Sequence, residues 1–169
     1  CLPSCDELDE VPYSTLAGSN VFVNEDGLKK ATYGIYKNCA EVSQAPFHRF
    51  VLSEAGHLYC TMGIFGEALI NPIYKFAQIP TNGYISSVWN WHFRTISRAN
   101  SVISNANKAV SDEAVANIYI AEARFLRANA YYDLVRLFGR VPLIDTEINS
   151  LTQSDLIYAP RASVEETYN

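Results

Sequence analysis

The sequence predicts an all-α domain of tetratricopeptide-like helical hairpins joined by long irregular loops. Two stretches, 85–108 and 111–138, carry apolar residues at helical spacing over more than twenty positions each. Small residues stand where such helices would cross, which allows close packing as antiparallel hairpins. These small residues are Ala99, Ala121, Ala128 and Ala130. No clean sequence repeat accompanies the pattern, so the prediction depends on the helical spacing.

The composition indicates a folded globular protein. Its 169 residues are 49% hydrophobic and 18% charged, which favours a packed core over disorder. The net charge of −5 gives no general attraction for nucleic-acid phosphate or an anionic membrane. No run of about 20 apolar residues is present, so no membrane-spanning helix is predicted.

The cysteines and histidines predict no metal site and no cofactor, because their spacing matches no common zinc pattern. A disulfide between Cys1 and Cys5 remains open in an oxidising compartment. Cys39 lies in a helical pattern and is expected to be a small buried side chain.

The first helix is predicted to begin at Asn24, whose side chain can cap it, and to end before Pro46. Its apolar spacing is set by Leu28, Ala31, Ile35 and Cys39. In the following stretch, 47–82, a short helix containing Val51, Leu52, Leu58 and Tyr59 stays open. The glycines and prolines after it predict an aromatic-rich loop.

The second helix is predicted over 85–108, and the turn that connects it to the third helix is predicted within 105–110. The third is predicted to be capped by Ser111 and stopped by Gly139. It carries two apolar stripes, so we expect it to be buried on more than one side, with Phe125 and Tyr132 inside. The first stripe comprises Ala114, Ile118, Ala121, Phe125, Ala128, Tyr132 and Val135.

The C-terminal stretch predicts an extended polar connection over 143–159 and then a new helix. Ser163 and Glu166 have the spacing of a capping box, which announces a helix start. Because a helix of one or two turns is not stable alone, we expect the sequence to be an incomplete protein whose C-terminal part is missing.

The N-terminus predicts a lipid anchor at Cys1. A cysteine followed by an acidic stretch suggests a bacterial lipoprotein, cut from its signal peptide just before the acylated thiol. Residues 1–13 would then be a tether, and 14–169 the helical domain. The alternative is a chain boundary that happens to fall on a cysteine.

Three ordered motifs resemble the SusD/RagB family of outer-membrane nutrient-binding lipoproteins. The run from Ala121 to Leu143 is closely similar to the family's "EARFLRA…YY.LV..FG.VPL" stretch. Upstream, Trp89, Phe93, Ile96, Arg98, Ala99, Asn100 and Ile103 resemble its "W…Y..I..aN..I" helix. Downstream, Pro160, Arg161, Val164, Glu165 and Tyr168 resemble its "pR.sveevY" helix start.

The resemblance implies a lipid-anchored protein on the outer-membrane surface of a Gram-negative cell. Such proteins bind glycans or other nutrients, cap a TonB-dependent transporter of the SusC type, and are longer than this chain. They are not enzymes. A helical-repeat scaffold that binds a protein or peptide is the alternative. A hydrolase is disfavoured because no catalytic motif is found and no catalytic residue is predicted.

Candidate ligand-binding residues are aromatic, because aromatic rings stack on the apolar faces of sugars. Tyr59 stands where the resemblance places an aromatic contact, although the family's acid near Ala55 is missing. Further candidates in the breaker-rich loop are Tyr74, Phe76 and Tyr84. Each could equally pin the loop to the core.

The motif residues themselves are expected to be structural. For Arg124 and Arg127 we favour pairing with acids or helix carbonyls over anion binding. Trp89 and Trp91 are expected in the core rather than on a sugar platform.

Overall fold

The computed structural model describes residues 21–44, 72, 77, 79–150 and 152–169, and this part of the chain is all-α. The helices are α1 (Glu25–Gln44), α2 (Gly83–Ala109), α3 (Glu113–Phe138), α4 (Ser154–Ile157) and α5 (Val164–Tyr168). Across these ranges the β-type pairing amounts to one isolated antiparallel bridge, between Pro142 and Arg161. The predicted fold class is therefore confirmed, whereas the tetratricopeptide-like detail stays a prediction.

The first helix begins as the sequence predicts. The side-chain oxygen of Asn24 accepts a hydrogen bond from the backbone N–H of Gly27 at 2.9 Å. A Cβ atom at Gly27 would lie 1.8 Å from the carbonyl oxygen of Val21, so only glycine fits under this turn.

The boundary between α2 and α3 differs from the prediction. α2 continues to Ala109, one residue beyond the predicted end, and its last turn packs against the core through the fully buried Ala106. Asp112, not Ser111, caps α3, accepting hydrogen bonds from the N–H groups of Ala114 and Val115. The carboxylate is the stronger acceptor for the free amides of a first helical turn.

The other helix ends follow the sequence. Gly139 ends α3 at a φ of 69° and donates its N–H to the carbonyl of Val135. The capping box of α5 is complete, because Ser163 and Glu166 each accept a hydrogen bond from the other's backbone N–H. The hydrogen bonds from Ser163 to the carboxylate of Glu166 lower the pKa of that carboxyl group. The connection before it is not wholly extended as predicted, since it contains α4. There the Gln153 side chain accepts from the N–H groups of Asn149 and Ser150.

Two apolar clusters hold the long helices together. The first lies where α1, α2 and α3 meet and comprises Leu28, Ile35, Ala99, Val102, Ala106, Ala116, Ile120, Ala123 and Leu126. The second joins the start of α2 to the end of α3 and comprises Ile96, Ala130, Tyr131, Leu134, Val135 and Val141. Since the start of one helix packs against the end of the other, α2 and α3 run antiparallel.

The predicted burial of α3 on more than one side is wrong for the described part of the chain. Phe125 is 71% exposed, and Ile118 and Tyr132 also face outward. The reason is that α1 and α2 both lie on the same side of α3 and cover only the stripe containing Ala123 and Leu126.

A polar cluster, which we call the clasp, fixes the segment after α3 onto α2 and α3. Asn100, 1% exposed, donates to the carbonyl oxygens of Ile144 and Thr146 at 3.0 and 2.9 Å. Arg127 donates to the side-chain oxygen of Asn100 at 2.7 Å and to the carbonyl of Asp145 at 2.6 Å.

Tyr131 completes the clasp. Its hydroxyl accepts from the N–H of Ile144 at 2.7 Å and donates to the carbonyl of the same residue at 3.0 Å. The clasp thus uses three motif residues, Asn100, Arg127 and Tyr131, to stabilise the packed helices α1–α3 and the segment after α3, which together we call the framework. Arg127 is structural, as expected, but its partners are a side-chain amide oxygen and a backbone carbonyl outside the helices, and not the predicted acid or helix carbonyl.

Replacing Asn100 with alanine should destabilise the protein by about 2–4 kcal/mol, because Arg127 and two carbonyl groups would lose their partner together. Chemical denaturation measures the change. Asn107→Ala, at an exposed position of the same helix, is the matched control and should stay within about 0.5 kcal/mol. Equal effects of the two variants would contradict the clasp.

Tyr131→Phe should cost about 1–2 kcal/mol at neutral pH, since both bonds to Ile144 are lost. Burial raises the pKa of Tyr131 above its ordinary value of 10.0. The fold therefore favours the neutral phenol, and its contribution is complete below pH 10.0 and declines as the pH rises beyond it.

Denaturation of wild type and Tyr131→Phe from pH 7 to 11 checks this, because the difference between them isolates Tyr131 from Tyr36 and Tyr119, whose pKa values are also raised. The difference should shrink above pH 10. A difference that is constant with pH would refute the assignment.

Candidate functional site

Most of the sequence-predicted site residues lie outside the described residues. This holds for the lipid-anchor candidate Cys1 and for the ligand-binding candidates Tyr59, Tyr74 and Phe76. Of Tyr84 the backbone is described, in the first turn of α2. It therefore stands directly where the aromatic-rich stretch joins the framework.

Trp89 belongs to the framework, as the sequence predicts. Its ring packs edge-on against Phe138 with centroids 5.1 Å apart and against Phe93 at 4.7 Å. The guanidinium of Arg161 lies 5.4 Å from the same ring. These neighbours bring together the first and last of the three motifs, so the ring stabilises the fold.

A buried histidine–aspartate pair lies between α2 and α3. His92 and Asp133 have side chains only 3% and 8% exposed, with Nε2 and Oδ2 3.5 Å apart. The other ring nitrogen, Nδ1, is 2.7 Å from the carbonyl of Val88 and carries a hydrogen, because a carbonyl only accepts. Burial also raises the pKa of the nearby Cys39 thiol, and the carboxylate of Asp133 adds to this. These groups are enclosed by the protein, so they do not reach a ligand at the surface.

A depression of about 450 Å³ opens between α3, the segment after it and α5. Its lining includes Arg124, Tyr132, Leu143 and Tyr168. The ring centroids of Tyr132 and Tyr168 are 6.4 Å apart with an angle of 65° between the ring planes, and the guanidinium of Arg136 lies 5.2 Å from the centroid of the Tyr132 ring. The sequence does not reveal this site, because Tyr132 belongs to a stripe with the spacing of a buried one.

A second depression, of about 600 Å³, lies in the groove between α1 and α2. Its lining includes the small residues Gly34 and Ser101 and, at charged positions, Asp26, Lys30, Lys37 and Arg98. Arg98 donates to the carbonyl of Gly34 at 2.9 Å. The one aromatic residue in its lining, Phe22, packs against the core. This surface suits an apolar segment better than a sugar ring.

Neither a metal centre nor a membrane span is found in the described ranges. No group of three or more His, Cys, Asp or Glu side chains there could hold a metal ion. Likewise, no helix in that part of the chain is both long and apolar enough to cross a bilayer.

Comparison with known proteins identifies relatives of the whole chain. Residues 7–169 match the SusD-like family described as starch-binding and associating with the outer membrane. The chain is 32% identical over 160 residues to SusD-like protein P2 of Formosa agariphila, covering 92% of this chain and 31% of that protein. It is 27% identical over 168 residues to SusD-like protein P25 of the same organism, covering 90% of this chain and 32% of that protein.

The chain thus spans about a third of the length of the curated relatives that it matches. No solved structure matches it. The family description is one of binding rather than of catalysis. The family match agrees with the resemblance carried by the three sequence motifs, whose residues form the clasp and the Trp89 contacts. On this match, which extends over nearly the whole sequence, the chain belongs to the SusD-like family.

Proposed function

We propose that the protein captures glycan, or another nutrient, at the cell surface and delivers it to a TonB-dependent outer-membrane transporter of the SusC type. The observation that carries this proposal is the family match over residues 7–169. The glycan, the transporter and the delivery step are proposals, because the chain spans about a third of the length of the relatives that it matches.

The framework explains where ligand contacts should be sought. Asn100, Arg127 and Tyr131 use their polar atoms within the clasp, and Trp89 is packed against other rings. Sugar recognition therefore falls to aromatic residues outside the helical motifs. We assign it to Tyr59, Tyr74, Phe76 and Tyr84.

The energetics of such a site are those of aromatic contact combined with hydrogen bonding. A ring that stacks on a sugar removes apolar C–H surface from water, while neighbouring polar groups bind the hydroxyls.

Single substitutions of Tyr59, Tyr74, Phe76 and Tyr84 by alanine in the full-length protein should each weaken glycan binding about 10-fold, on the roughly 1.4 kcal/mol scale of an aromatic contact. A glycan array identifies the ligand, and calorimetry measures the affinities. Tyr158→Ala is the matched control, because Tyr158 is 83% exposed and lies in another segment. It should leave the affinity unchanged.

Two results would contradict the proposal. One is a folded full-length protein that binds no glycan on the array and co-purifies with no TonB-dependent transporter. The other is a glycan affinity that none of the four aromatic substitutions changes.

A second candidate function is peptide binding in the groove between α1 and α2, which the apolar lining of that groove favours. Gly34→Phe would fill the groove, and a Cβ atom at this position meets no other atom within 4 Å. If the protein binds glycan, Gly34→Phe should leave the glycan affinity unchanged. If the groove binds a peptide, the same variant should lose the capture of a protein partner.

Membrane attachment is proposed to occur through Cys1, as an acylated N-terminal cysteine, because two or more acyl chains hold a protein stably at a bilayer. In cells that express the full-length gene, Cys1→Ser should abolish incorporation of labelled fatty acid, whereas Cys5→Ser should not. Undiminished labelling of Cys1→Ser would exclude the anchor.

A further inference from the structure

The groove between α1 and α2 carries positive charge on a protein that is acidic overall. Its described lining includes three basic residues, Lys30, Lys37 and Arg98, and one acid, Asp26. The whole chain, by contrast, has a net charge of −5. Because basic groups that share a concave surface attract carboxylates, the groove favours an acidic segment as its occupant.

The basic groups of the groove are accessible to such a segment. Lys30 lies 2.5 Å from Asp26, and their side chains are 66% and 68% exposed. Lys37 lies 4.0 Å from Glu41, and these side chains are 78% and 48% exposed. Exposed pairs contribute little free energy, so another carboxylate can replace either acid. Arg98 donates through Nη1 to a backbone carbonyl of α1, and a guanidinium has five N–H donors, so this side chain can bind a carboxylate as well.

The groove also offers apolar surface between its charges. Val21 and Ala31 belong to its lining, as does Val23, whose side chain is 65% exposed. At Gly34 an added Cβ atom would meet no other atom within 4 Å, so the groove has room above this position. An occupant that fits the whole surface therefore combines acidic with apolar side chains.

One segment of this chain has that composition. Residues 6–11, which we call the acidic arm, combine four acids with two apolar side chains: Asp6, Glu7, Leu8, Asp9, Glu10 and Val11. We propose that the acidic arm docks in the groove between α1 and α2 of the same molecule. In the docked state the basic residues of the groove bind the carboxylates of the arm, and Leu8 and Val11 contact the apolar lining.

The length of chain between the acidic arm and the groove suits this contact. Val21 lines the groove, and nine residues, 12–20, separate it from the arm. Nine extended residues span up to about 30 Å. The part of α1 from Glu25 to Lys37 is shorter, about 20 Å at 1.5 Å per residue. A segment joined by so short a connection has an effective concentration of roughly millimolar order, which favours it over an external peptide.

The family match supports assigning the acidic arm to the folded domain, because it begins at residue 7 and so includes most of the arm. Docking would shorten the connection between the domain and the proposed anchor at Cys1, which would hold α1 and α2 near the membrane. That consequence rests on the proposed anchor. The docking itself depends neither on the anchor nor on the nutrient that the protein binds.

Cysteine labelling in the full-length protein tests the docking. Ser97→Cys places a thiol in the lining of the groove, and Ser104→Cys, the control, places one at an exposed position of α2 outside that lining. Modification by a maleimide, located by mass spectrometry, should be about 10-fold slower at Ser97→Cys. The protection should be independent of protein concentration and should weaken in about 1 M salt, because salt screens ion pairs between exposed groups.

Removing the charge of the acidic arm distinguishes it from other occupants of the groove. The arm variant carries four substitutions: Asp6→Asn, Glu7→Gln, Asp9→Asn and Glu10→Gln. In this variant Ser97→Cys should be labelled as fast as Ser104→Cys. The matched control removes exposed acids elsewhere and should leave the protection unchanged; its substitutions are Glu113→Gln, Asp155→Asn and Glu165→Gln.

Three results would overturn the proposal. The first is equal labelling of Ser97→Cys and Ser104→Cys when the arm is unchanged. The second is protection of Ser97→Cys that persists in the arm variant, because another segment or a partner would then fill the groove. The third is protection that appears only as the protein concentration rises, which would indicate a second copy. Glycan binding does not enter this measurement, so the docking and the proposed function can fail separately.

Discussion

The close antiparallel contact between α2 and α3 is the constraint on which the rest of the structure depends. Alanines are fully buried where these helices meet, among them Ala99 and Ala106 on α2 and Ala116 and Ala123 on α3. A methyl group lets two helix backbones approach closely, whereas any larger side chain would force them apart. The position of α1 and the path of the segment after α3 both follow from this contact.

An apolar contact alone would leave the register of the helices weakly defined, and the clasp removes that freedom. Asn100 and Tyr131 each need partners in particular directions, and a slide of one helix would leave buried polar groups unpaired. The most recognisable motif of the family therefore combines apolar and polar residues for one purpose, which is a framework of fixed geometry. In this framework Arg127 joins a side chain of α2 to the backbone at Asp145.

This division of labour has a consequence for function. Many of the residues that identify the family lie in the core and the clasp, and these residues report the fold and not the ligand. Two members of the SusD-like family can share the framework and still differ in what they capture. We propose that the residues that decide specificity belong to the aromatic-rich stretch before α2 in the sequence.

The sequence by itself determined the helices, most of their ends and the family, because these depend on local signals. The cap at Asn24, the stop at Gly139 and the capping box at Ser163 are short-range hydrogen-bonding patterns, and the structure confirms them. The expected packing role of Trp89 is confirmed as well. The candidate sugar contacts depend on residues outside the described ranges and stay predictions.

Only the tertiary structure decided which stripe of α3 is buried, since both stripes have the same period and apolar character. Burial depends on which neighbours are present, and α1 and α2 occupy one side of α3. Spacing cannot distinguish a stripe packed by those two helices from a stripe that needs another partner, which is why Phe125 was placed wrongly. The clasp could not be predicted from the sequence either. In it, Asn100 is hydrogen-bonded to Arg127 and to the backbone carbonyls of Ile144 and Thr146, which lie more than forty positions away along the chain.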